Sequence, residues 1–198
     1  YVQSGKTAHY IGLINKAVDA GYRIIVVLTG IHNSLRSQTQ SRIDEEVLGY
    51  ETSLENLADM IREPNVIGVG IGEHNRVKTI VQSITTRDEK GDVNKTTEGV
   101  SMVPPFIIVT KKNATVLRRI LRFFQKNQCA EVIGGKKIIP AKYPALIIDD
   151  EADQASINTN ASYDDKGNLL DDYNPTTING LIREILKIFE TNSYVGYT

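Results

Sequence analysis

The chain has 198 residues, 40% of them apolar, and its 23 Lys and Arg against 24 Asp and Glu leave a net charge of −1. That is material for one packed domain, and it excludes a strongly basic nucleic-acid module without excluding a local basic groove. A single cysteine, Cys129, excludes a disulfide framework, and no signal-like segment or bilayer-length apolar run is present, so a globular cytoplasmic protein with no membrane partner is expected.

The first stretch, Tyr1-Val2-Gln3-Ser4-Gly5-Lys6-Thr7, contains the core of a phosphate-binding P-loop. In such a loop the backbone N–H groups of a tight turn wrap the phosphates. The Lys amine reaches the β- and γ-phosphates, and the Thr hydroxyl sits on Mg²⁺. The pattern is Gly-x-x-x-x-Gly-Lys-[Ser/Thr], and its first glycine would fall one position before Tyr1. The chain therefore reads as starting inside the motif, downstream of the strand that delivers the loop. A polar turn capping a helix would carry the same letters, so this motif needs a partner.

Apolar positions at helical spacing predict a helix over 6–20, stopped by Gly21. The β-branched run 23–28 predicts a strand covered on both faces. A second helix follows, with Leu35, Thr39, Ile43, Val47 and Leu48 on one face and Asn33 or Ser34 as N-cap. Residues 66–71 and 77–83 read as short strands, and 85–101 as a polar loop. The apolar strand 106–109 then leads into an amphipathic helix over 114–127, with Val116, Leu117, Ile120, Leu121 and Phe124 inward and a basic outer face. Gly134-Gly135-Lys136-Lys137 makes a turn, and the strand 145–148 runs into Asp149-Asp150-Glu151-Ala152-Asp153. A polar surface loop over 158–177, a helix over 177–189 and the start of one more strand at 194–198 complete the chain. Alternating strands and helices after a P-loop predict an α/β fold with a largely parallel sheet flanked by helices.

An apolar strand ending in carboxylates is what a P-loop requires as its partner. One carboxylate holds Mg²⁺, and the next accepts a proton from the attacking water. Asp150 and Glu151 supply both. Asp149 could instead be the metal-side carboxylate with Asp150 polarising water, but Asp150-Glu151-Ala152-Asp153 spells the Asp-Glu-Ala-Asp signature of helicases, which favours Asp150 and Glu151. A strand ending in a merely solvated acidic turn is the plainer alternative, and the order of the two motifs argues against it.

Three strings, Val2-Gln3-Ser4-Gly5-Lys6-Thr7, residues 28–44 (Leu28 to Asp44), and Asp149-Asp150-Glu151-Ala152-Asp153-Gln154-Ala155-Ser156, resemble the Z-one domain family. This bacterial group is commonly labelled as endonucleases but is built on a superfamily-two helicase ATPase. The resemblance covers nearly the whole chain. It implies that residues 1–198 are the first RecA-like lobe of a P-loop NTPase, trimmed within the P-loop and before a third helicase motif that Val195-Gly196-Tyr197-Thr198 approaches. It implies ATP hydrolysis in a cleft shared with a second RecA-like lobe that donates arginine fingers. It also implies action on DNA in restriction or phage defence, beside a GHKL-type ATPase and a separate nuclease.

The expected site is thus Lys6 and Glu151 as catalytic groups, Gln3, Ser4, Gly5, Lys6 and Thr7 on ATP, and Thr7 and Asp150 on Mg²⁺. Thr29, Asn33, Arg36 and Gln38 follow a strand's carboxyl end, where open α/β sheets contact ligands, and are candidates to grip nucleic acid. A capped helix with a solvated face is the plainer reading of that segment. The histidines have no metal-ligand spacing, and Cys129 reads as a small packed residue. The loop 164–168 lacks the EF-hand pattern and reads as a turn. No nuclease motif appears, so the chain alone is expected to cut no DNA, and without a second lobe to hydrolyse ATP weakly.

Overall fold

Uninterrupted β-branched runs cannot expose either face to water, and three of them form the middle of one sheet. In the computed structural model, which describes residues 4–53, 65–71, 81–93, 104–127, 129–153 and 175–198, these are β1 (Ile24–Thr29), β3 (Phe106–Lys111) and β6 (Ala145–Asp149). The short β2 (Gln82–Ser83) and β7 (Asn192–Gly196) form the edges, giving the order β2-β3-β1-β6-β7 with every pairing parallel. Val26 lies opposite both Ile108 and Ile147, so the apolar residues of three strands stand in register.

Alternation along each strand divides the core into two layers. Ile24, Val26, Phe106, Ile108 and Ile147 face α3 (Ala114–Lys126) and α4 (Pro175–Ile188). Ile25, Val27, Ile107, Val109 and Ile148 face α1 (Ser4–Asp19) and the end of α2 (Asn33–Ile43). Phe124 is fully buried, with ring centroids 4.8 Å from Phe189 and 5.1 Å from Phe123. Burying such a ring contributes about 1.5–3 kcal/mol. The fold is α/β, a mostly parallel five-stranded sheet flanked by helices. Among the described residues no helix is long and apolar enough to cross a membrane.

Several local expectations change. Residues 66–71 form no strand: Val66 makes one isolated bridge to Tyr50, and Gly68–Gly70 is a 3₁₀ turn. Gly68 has φ 51°, and a Cβ there would run into the backbone of Glu45, so the segment is bent where a strand must be extended. Neither Asn33 nor Ser34 caps α2; His32 occupies that position without a side-chain cap. Asn113 does cap α3, accepting from Val116 N at 3.1 Å. On α3, Phe123 is buried, whereas Leu121 is only partly so.

The turn at Gly134-Gly135 joins a separate hairpin, β4 (Glu131–Ile133) and β5 (Lys136–Ile138), with φ of 57° and 79° at the two glycines as a tight two-residue turn requires. α4 begins at Pro175, two residues before the expected start. The expected strand over 77–83 retains only β2 within the described residues; 77–80, 94–101 and 158–174 lie outside them.

Of the expected inner face of α2, Thr39, Ile43, Val47 and Leu48 are buried and Leu35 is half-buried, and the helix buries polar groups beside them. Arg36, Thr39, Gln40 and Ile43 turn inward, and its path continues as a π-helical turn, Asp44–Leu48. Gln40 donates to Asp44 Oδ1 (2.9 Å), and Asp44 accepts from the Thr52 N–H (2.9 Å) and pairs with Arg87 (3.3 Å). Burial pushes the Asp44 carboxyl up, opposed by these bonds.

Candidate functional site

In an open parallel sheet, ligands sit beyond the carboxyl ends of the strands. A cavity of about 190 Å³ lies there, between the ends of β1 and β6, the first turn of α1 and one face of α2. Lys6 and Thr7 line it from α1, Thr29 and Gly30 from the end of β1, and Asp150 and Glu151 from the turn after β6. Residues far apart in the chain meet because α1 packs on the sheet face that carries Ile25 and Val27 of β1 and Leu146 and Ile148 of β6. Ligand pockets for drug-sized molecules run to roughly 300–1,000 Å³. The smaller volume here suits a phosphate chain and an ion rather than an enclosed nucleotide.

The α2 face is built from Leu35, Gln38, Thr39 and Arg42, at i, i+3, i+4 and i+7. Arg42 is a second cation on the cavity wall, and sequence reasoning did not single it out. Its Nε and Nη2 donate to Glu46 Oε1 at 3.0 and 2.9 Å, and the pair is about one-third exposed. The signal was present in the spacing: Arg42 shares a helix face with Gln38 and Thr39.

The acidic turn has a defined orientation. Asp149 points inward and is fully buried, paired with Lys112 Nζ at 2.6 Å, and it accepts from the Tyr194 hydroxyl at 2.6 Å. It does not line the cavity; Asp150 and Glu151 do. The Asp150 N–H donates to Leu28 O (2.8 Å), and the Ala152 N–H donates to Tyr197 O (2.7 Å), so β1 and the end of β7 hold the turn from both sides. Glu151 has φ 58°, the left-handed region, and it is the one non-glycine residue there among those described. For an L-residue that conformation costs roughly 1–2 kcal/mol, and such outliers cluster at functional sites.

Burial raises the Asp150 carboxyl above its usual range, opposed chiefly by the charge of Lys6, then by a backbone bond from Glu151 and by Lys112. Tyr10, one turn after Thr7, is fully buried, and its own hydroxyl is pushed up by burial with Thr7, Thr39 and Asp150 around it. Tyr10 Oη and Glu151 Oε2 are buried without a hydrogen bond to described protein atoms. Buried oxygens of this kind mark where water or a cation completes a site. Among the described residues no group of three or more His, Cys, Asp or Glu could hold a metal by itself. Mg²⁺ does not need one, since it binds through one or two carboxylates, waters and substrate phosphates. Thr7 and Asp150 fit that requirement.

The remaining predicted residues separate. Gln3 lies outside the described residues, while Ser4 opens α1, where Gly5 and Lys6 are exposed and Thr7 half-buried. Thr29 and Gln38 line the cavity, and Thr29 is itself buried, donating to Thr110 O (3.2 Å). Asn33 is half-buried and accepts from Lys111 Nζ (2.8 Å). Arg36 has no exposed surface: it donates to Thr86 O (2.8 Å), to Asp88 O and to Ser37 Oγ (3.2 Å), fastening α2 to the loop after β2. A guanidinium turned into the core cannot grip a nucleic-acid backbone, so the expectation for Arg36 is corrected. The basic face of α3, Arg118, Arg119, Arg122 and Lys126, is exposed and lies on the opposite layer from α2.

Compared with protein-family models, with curated proteins and with solved structures, the chain matches none.

Proposed function

We propose that the cavity binds the phosphates of ATP with Mg²⁺ and that the chain is the RecA-like lobe of a P-loop ATPase. The observation that carries this reading is the meeting of Lys6 and Thr7 with Asp150 and Glu151 across one cavity at the carboxyl ends of parallel strands. Lys6 neutralises the β- and γ-phosphates, and Arg42 adds positive charge on the facing wall. Thr7 and Asp150 hold Mg²⁺, which when bound offsets phosphate charge. Glu151 orients the attacking water and takes its proton; its buried, unpaired Oε2 is available for that bond.

The wider role follows from the resemblance to the Z-one domain family: an ATP-driven motor acting on DNA in restriction or phage defence, completed by a second lobe and by nuclease and GHKL-type ATPase partners. Thr29 and Gln38 belong to the cavity wall. With Arg36 turned inward, a DNA contact on α2 would draw on its remaining exposed positions.

The test is a titration of mant-ATP with the full chain in Mg²⁺. Lys6→Ala removes charge-assisted bonds of about 1.5–3 kcal/mol each and lowers affinity roughly 10- to 100-fold. Glu151→Gln retains affinity and loses single-turnover hydrolysis. Equal affinity in wild type and Lys6→Ala, or DNA-stimulated hydrolysis surviving both changes, would sink the proposal. Nucleotide-dependent oligomerisation without DNA stimulation would mark a switch rather than a motor.

A further inference from the structure

The mechanism just described leaves one buried ion pair unused. Lys112 follows the end of β3, is fully buried, and sits beneath the acidic turn rather than in the cavity. Its Nζ pairs with Asp149 Oδ1 at 2.6 Å and donates to Asp150 O at 2.8 Å and to Glu151 O at 2.5 Å. Two of the ammonium's hydrogen bonds go to the carbonyls of Asp150 and Glu151, and its charge pairs with Asp149, so it meets three consecutive residues of one turn.

We infer that Lys112 is a positioning residue for Asp150 and Glu151, an inference that rests on the ATP reading. The ammonium draws the carbonyls of Asp150 and Glu151 inward, beneath the sheet edge. Both side chains line the cavity on the other side. The same bond holds Glu151 at φ 58°, a backbone state that L-residues rarely adopt unless their surroundings impose it. Asp149 supplies the counter-charge that lets a lysine remain here without solvent. It is anchored from its other oxygen by the Tyr194 hydroxyl, and its backbone O accepts from the Tyr197 N–H at 2.8 Å. The Lys112 N–H donates to Gly30 O at 3.3 Å, which joins the third wall of the cavity to the same residue. Lys112 thus ties the ends of β1, β3 and β6 together at the point where their loops converge. A plain structural ion pair would need the Asp149 contact alone; the two carbonyl bonds are what make this a clamp on the catalytic turn.

The experiment separates the two roles. Lys112→Met alone removes the positive charge beside the buried Asp149 carboxylate, so the informative variant is Lys112→Met with Asp149→Asn, which removes both charges at similar volume. On the full chain, thermal melting, mant-ATP affinity and single-turnover hydrolysis of ATP are measured side by side. The double variant is expected to fold and, without Mg²⁺, to bind mant-ATP within about threefold of wild type. Hydrolysis is expected to fall about 100-fold, the loss that a misplacement of roughly 1 Å produces. A rate within threefold of wild type would overturn the inference, as would equal losses of affinity and rate. Failure of the wild type itself to bind mant-ATP would strike the ATP reading instead, which keeps the two failures distinct.

Discussion

Gly30 offers a way to move one carboxylate while leaving the fold alone. It is buried directly after β1, and its φ is not left-handed, so alanine is sterically allowed by the backbone. A Cβ there would stand 2.5 Å from Glu151 Oε2 and 2.9 Å from Leu35 Cδ1. To reach the 3.4 Å at which ordinary contact begins, the carboxylate must withdraw by about 0.9 Å. Both obstructing atoms are the ends of flexible side chains. Their adjustment costs about 0.5–1.5 kcal/mol, offset by the 0.4–1 kcal/mol that Gly→Ala gains through the unfolded chain. The net change is within about 1 kcal/mol, or roughly 4 °C in Tm for a chain of this size. On the proposed role of Glu151 in orienting water, a withdrawal near 1 Å is, by contrast, expected to slow hydrolysis about 100-fold. Scanning fluorimetry, mant-ATP titration and single-turnover hydrolysis on Gly30→Ala make the comparison. Wild-type hydrolysis in the folded variant, or a Tm loss beyond about 8 °C, would refute the reasoning.

Asp150→Asn is expected to stabilise the protein at pH 8 while abolishing Mg²⁺-dependent mant-ATP binding. Burial raises the Asp150 pKa in the folded state, so the native chain holds this proton more tightly than the unfolded one. The resulting destabilisation grows as pH rises from the ordinary aspartate range through the raised pKa and is complete above it. The Tm gain of the Asn variant should therefore shrink as pH falls below that range, and a gain confined to acid would contradict the sign. Arg36→Met removes the bonds to Thr86 O and Asp88 O. At about 1.5 kcal/mol or more for each charged bond, stability falls by roughly 3 kcal/mol and Tm by about 6–12 °C. The DNA affinity of the folded variant should not change, and a selective loss of DNA binding at unchanged Tm would reverse the correction made for Arg36.

What could be read from residue order alone were the elements whose physics is local. The β-branched runs of β1, β3 and β6 admit no solvent on either face, so they announce a covered parallel sheet. The spacing of apolar residues on α3 and α4 names the helices that cover it. Lys6-Thr7 and Asp150-Glu151 stand out in the sequence because each is a short string with a chemical requirement, and all four line one cavity. In the α2 segment the spacing named Thr39, Ile43, Val47 and Leu48 as inward, and they are buried, but periodicity treats polar residues as solvent-facing and so missed Arg36, Gln40 and Asp44. The inner face of that segment is held by Arg36, Gln40 and Asp44 through partners from distant loops that no window of sequence contains. The same reason hid Lys112: a lysine in the pair Lys111-Lys112 reads as surface, and only the convergence of β1, β3 and β6 buries one of the two beneath the acidic turn. Tertiary structure also chose between Asp149 and Asp150 at the cavity. The end of β6 turns Asp149 toward Lys112 and Tyr194, and the left-handed step at Glu151 leaves Asp150 and Glu151 facing Lys6 and Thr7.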